Sequence, residues 1–144
     1  MTIYELLHIT DYLDEKHIGY FSTIDNLKKA IEEIRKQPGF CQFPHNFFII
    51  PREVIPPEQE SKYLYGAGAF FYDDAFEVDG GADLGIFGQK ADAEESLSLF
   101  TQIDENATDQ WLTVDPSVGK VELDRVWWAE GFDCREEEHC DGSV

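Results

Sequence analysis

A chain of 144 residues with 42% hydrophobic and 14% aromatic content has enough apolar surface for a packed core and is too apolar for global disorder. Its 30 Asp and Glu against 11 Lys and Arg give a formal net charge of -19, which repels nucleic acid and anionic membrane surfaces and attracts basic proteins. The acids are unevenly spread: residues 1–62 carry a net charge of -3 and residues 63–144 a net charge of -16.

Met1 to Leu7 lacks the basic start and the uninterrupted apolar run of a secretory signal, and no segment approaches the ~20 apolar residues of a membrane span. The expectation is a cytoplasmic protein. Cys41, Cys134 and Cys140 are odd in number and lack framework spacing, which predicts free thiols.

Residues 2–10 contain Ile3, Tyr4, Leu6, Leu7 and Ile9 on both parities of the strand repeat, as an interior strand would. Residues 17–22 form its hairpin partner. Ser22 or Thr23 then caps a helix over 23–36, and Asp25 favours the positive helix end. Leu27, Ala30, Ile31 and Ile34 make one apolar stripe that must be buried. Pro38 and Gly39 stop the helix, and Phe40 and Phe43 fold back onto the core. Phe47 to Ile50 is a short strand that Pro51 limits.

Residues 63–89 are acidic and rich in glycine and aromatics. They read as turns and short strands, because each Gly costs about 1 kcal/mol in a helix interior relative to Ala. Asp92 to Gln102 favours a helix. Trp111 to Val114 reads as a brief strand before a turn at Asp115, Pro116 and Ser117, and residues 121–129 as a further sheet strand. The acidic tail, 133–144, has no apolar period. The predicted fold is therefore α+β: a single domain over 1–144, with the helix on a mainly antiparallel sheet of residues 2–10, 17–22, 47–50 and 121–129.

The ordered pieces resemble a small uncharacterised bacterial α+β domain. The motifs that carry this are the Gly19-Tyr20-Phe21-Ser22 strand, the capped helix, the Pro38-Gly39-Phe40 turn, the Phe48-Ile49-Ile50 strand and Trp128-Ala129-Glu130-Gly131-Phe132. The resemblance covers residues 3–54 and 121–132 and implies that residues 55–120 are an insertion. It implies no reaction.

Chemical motifs are sparse. His139, Cys140 and Cys134 lack the paired-cysteine spacing of a closed zinc site. Asp73, Asp74, Glu77, Asp79 and Asp83 lack the ordered positions of a calcium loop. Cys41 and His45 have no orienting third group, and Gly66, Gly68, Gly80 and Gly81 match no phosphate loop. Paired carboxylates such as Glu94 with Glu95, or Asp104 with Glu105, are adjacent in sequence, which does not place them across a cleft. Trp127 and Trp128 suit stacking on sugars or anchoring a partner, but tryptophans on a strand are more often core. No cofactor, metal or catalytic residue is expected.

Charge therefore carries the functional expectation. The chain is similar in kind to acidic bacterial toxin-immunity proteins, with no motif transferred. The expected partner is a basic toxin domain, nuclease-like in charge, held by Asp73, Asp74, Glu77, Asp79, Asp83, Glu94, Glu95, Asp104, Glu105 and Asp109, with Tyr65, Phe71, Tyr72 and Trp111 as apolar anchors. A DNA-mimicking anti-defence protein and a small enzyme acting on a cationic or sugar substrate are the alternatives.

Overall fold

The computed structural model describes residues 1–57, 61, 63–72, 78–106 and 113–131, with the side chains at 71–72, 78–80, 101–106 and 113–115 excepted. Among the described residues it is a mixed α+β fold with two three-stranded antiparallel sheets and two helices. The chain divides into two compact units. The first comprises Thr2–Arg52 and Glu122–Val144, and the second comprises Glu53–Val121 with Met1.

In the first unit, β1 (Thr2–Ile9) lies between β2 (Glu15–Phe21) and β3 (Phe47–Glu53). The central place of β1 explains its apolar residues on both parities: Ile3, Leu6, Leu7 and His8 are all buried. β1 and β2 pair antiparallel, with a register shift between Leu6 and Leu7. Helix α1 (Ile24–Ile34) starts at Thr23, whose hydroxyl accepts from the Asn26 N–H at 3.1 Å. Its stripe of Leu27, Ala30 and Ile34 packs on Leu6, Ile18, Phe21 and Phe40, with Tyr4, Ile31, Phe47 and Val126 at the margin. The expected return of Phe40 and Phe43 is observed at His8. The His8 ring lies 5.0 Å from Phe40, 6.4 Å from Phe43 and 4.8 Å from Phe47, and its Nε2 donates to the Phe43 carbonyl at 2.9 Å.

Pro51 does not end β3. The Val54 N–H donates to Met1 O and the Ile9 N–H to Asn46 O, so even-numbered residues of β3 direct their N–H groups at β1. Pro51 occupies an outward position on an edge strand and removes no ladder bond.

The second unit is built on β4 (Leu64–Tyr72), which pairs antiparallel with β5 (Val78–Phe87) on one side and β6 (Thr113–Val121) on the other. Residues read as short strands and turns are thus two long strands. Pairing along both edges of β4 outweighs the weak strand propensity of its glycines. The expected turn at Asp115 to Ser117 is also absent: Pro116 lies within β6 opposite Ala69, tolerated because β6 is an edge. Helix α2 (Lys90–Asn106) is longer than the predicted segment, and Ala93 packs with Ala67 and Phe87, bordered by Tyr65, Leu84 and Val118.

The strand expected over 121–129 does not form: Val121 is the last residue of β6, and residues 122–129 belong to no strand. After β6 ends at Val121, the chain runs beside β2, joined by a single bridge between Leu123 and Tyr20 and by bonds from the Asp124 N–H to Tyr20 O and the Trp127 N–H to Ile18 O.

Candidate functional site

The expected partner-binding residues fall on several parts of the second unit. Tyr65 on β4 packs beside Ala67 and Phe87, so it is part of the core margin. Phe71 and Tyr72 end β4, and Asp79 lies on β5. Asp83 is exposed on β5, and its carboxylate accepts from the Gly85 N–H at 2.9 Å. Glu94 and Glu95 are exposed on α2, with Lys90 Nζ 3.6 Å from Glu94 Oε1. Asp104 and Glu105 lie near the end of the same helix. Asp73, Asp74, Glu77, Asp109 and Trp111 lie outside the described residues.

By composition the second unit holds 15 acids against 3 lysines, net -12, and the first unit the remaining -7. The acidic unit also presents apolar surface. Phe70 is 53% exposed and Leu99 54% exposed. Beside Phe70, the sheet has a trough of about 520 Å³ floored by Gly66, Gly68, Gly81 and Gly119, with Asp83 and Ser117 in its lining.

A second site lies on the first unit, and its tryptophans overturn the core expectation. Trp127 and Trp128 are 46% and 47% exposed, yet each is held. Trp128 Nε1 donates to His17 O at 2.6 Å, and Lys16 Nζ sits 4.2 Å from the ring centroid while donating to Glu130 O at 3.0 Å. The Arg125 guanidinium sits 4.1 Å from the Trp127 ring and pairs with Glu122 at 2.8 Å. With Glu15, Lys16 and His17, the two indoles line an open groove of about 350 Å³.

Behind the groove, His17 Nε2 approaches Glu5 Oε1 at 3.6 Å, and Glu5 is bound by Arg52 at 2.8 Å. Burial lowers the His17 pKa; Glu5 and Glu15 raise it and Arg52 lowers it. The net direction is downward from 6.5, so the ring is neutral at pH 7 and can both donate and accept.

Sequence reasoning missed Glu15, Lys16, His17 and Arg125. The adjacent cations and the Trp-Trp pair were visible, but 111 residues separate His17 from Trp128.

Cys41 is disulfide-bonded, which corrects the expectation of free thiols; its partner lies outside the described residues. Among the described residues no group of three or more His, Cys, Asp or Glu is arranged to hold a metal, and no helix is long and apolar enough to cross a membrane. Comparison with protein-family models, with curated proteins and with solved structures finds no match.

Proposed function

We propose that this chain is a binding protein, an immunity factor that neutralises a basic cytotoxic domain by covering its working face. The observation that carries this reading is the concentration of charge, net -12, on a compact unit that also exposes Phe70 and Leu99. Acids bring a basic partner in quickly and orient it, while desolvated aromatic and aliphatic contacts supply more of the affinity. Leu99 lies four residues after Glu95 on α2, so both belong to one helix face. The Cys41 disulfide favours an oxidising compartment over the cytoplasm that the sequence suggested.

The test pairs the chain with a basic cytotoxic domain encoded beside its gene. Co-expression should restore growth. Glu94→Gln/Glu95→Gln should slow association several-fold at low salt, and Asp14→Asn/Glu33→Gln on the first unit should change it less. The difference should shrink as the screening length falls to about 8 Å at physiological ionic strength. Equal association rates for the two variants at low salt would remove the main support for this reading.

A further inference from the structure

Two indoles half exposed on one groove call for a cause, since tryptophan is highly buried on average. Their environment narrows the occupant. Each indole already carries a cation, Lys16 on Trp128 and Arg125 on Trp127, so the attraction an aromatic cage would offer to a cationic ligand is largely satisfied from within. The exposed Glu15 carboxylate on the groove, in a chain of net charge -19, disfavours an anion. A wholly apolar ligand would desolvate Glu15 and His17 without replacing their hydrogen bonds.

What fits is a neutral molecule with apolar C–H faces and a rim of hydroxyls. We propose that the groove formed by Trp127, Trp128, Glu15, Lys16 and His17 binds carbohydrate, with a pyranose ring stacked on the exposed indole surface. Glu15 accepts from sugar hydroxyls, and His17 takes part at the floor through Nδ1 alone, since its Nε2 is buried against Glu5. The Trp128 Nε1–H is committed to His17 O, so that indole contributes its face and not its donor. Because the hydrogen bond and the stacked cations hold both rings before ligand arrives, little side-chain freedom is lost on binding. The groove is open and near the lower end of the usual range of about 300–1,000 Å³ for small-molecule sites, so one or two sugar units are engaged and affinity is modest. This site belongs to the first unit, whereas the acidic residues assigned to a protein partner belong to the second, and it does not rest on that assignment.

The test titrates the full chain with neutral gluco-, xylo- and chito-oligosaccharides, from mono- to tetrasaccharide, following tryptophan indole N–H resonances. In a second arm the chain is passed over the matching insoluble polysaccharides. At least one soluble sugar should shift the Trp127 signal with a Kd of about 1 mM or tighter, and Trp127→Ala should weaken it about tenfold or more. Trp127→Phe should retain most of the affinity, and Glu94→Gln/Glu95→Gln should leave it unchanged. Retention on a polysaccharide, lost in Trp127→Ala, without a response to short sugars would also support the site and identify the polymer as its source. If wild type responds to neither arm, or if Trp127→Ala folds and binds as wild type does, the proposal is wrong. A protein that competes for the groove in the absence of any sugar response would likewise overturn it.

Discussion

Gly39 and Gly131 meet backbone to backbone. A Cβ on Gly39 would stand 2.5 Å from the Gly131 carbonyl carbon, and one on Gly131 would stand 2.7 Å from that of Gly39. The Gly131 N–H donates to Pro38 O at 2.8 Å, and Gly39 has φ of +81°. The turn after α1 and the segment after Trp128 are therefore joined at a point where neither residue has room for a side chain. Gly39→Ala adds left-handed strain to the clash and should cost at least about 2 kcal/mol. Gly131→Ala should cost a similar amount by the clash alone. Urea unfolding checks this, and wild-type midpoints for both variants would refute it.

Leu27 and Ile31 occupy the same helical stripe but differ in burial. Leu27 is fully enclosed, whereas Ile31 sits at the margin of the cluster. The sequence made the two equivalent. Leu27→Ala should lose about 2–5 kcal/mol, and Leu27→Asp should leave the first unit largely unfolded, because it buries an unpaired charge. Ile31→Asp should be clearly milder. Circular dichroism melts decide this, and equal losses at the two positions would contradict the placement.

The helix was legible because a 3.6-residue stripe and a capping hydroxyl are local signals; the cap is Thr23, while Ser22 instead donates its N–H and hydroxyl to Asp124 at 2.9 and 2.6 Å. Strands β1 and β2 were legible from their β-branched and aromatic runs. The middle of the chain was misread where local preference and pairing disagree. Gly66 faces Gly119 across β4 and β6, a combination that propensity alone assigns to turns. Pro51 and Pro116 look like strand breakers until their edge positions are known. Val121 to Asp124 alternate as a strand should and Val126 to Ala129 are apolar on both faces, but the segment after Val121 joins β2 through one bridge and scattered bonds. The tryptophan groove depends on which residues of β2 this segment reaches, and no spacing rule contains that information.

Three cysteines and one disulfide at Cys41 leave a single thiol. Thiol titration of unreduced protein in denaturant should find one reactive group per chain, rising to three after reduction. Reduction should also lower stability, by about 2–5 kcal/mol, the usual cost of losing a native disulfide from a small domain. Three reactive thiols before reduction would restore the original expectation.

His8 links stability to pH. It is fully buried, its Nε2–H is given to Phe43 O, and Nδ1 has no hydrogen-bond partner among the described residues. Burial lowers its pKa from 6.5; the Phe43 bond opposes this and the nearby Lys16 charge adds to it. His17 is shifted in the same direction, with burial again the largest cause. For a group whose folded pKa is depressed, the unfolded chain takes up the proton first. Stability is therefore complete above about pH 6.5, falls as the pH drops toward the folded values, and receives no further loss from these groups below them. Thermal midpoints should decline as the pH is lowered from about 6.5, above the main titration range of the carboxylates. His8→Leu should be less stable at neutral pH, since Phe43 O loses its donor at a cost of about 1–3 kcal/mol. Its midpoint should nevertheless depend less on pH than that of wild type, with the His17 share remaining. The slope and not the absolute midpoint is diagnostic: an unchanged slope in His8→Leu would show that the buried imidazole is not the group that titrates.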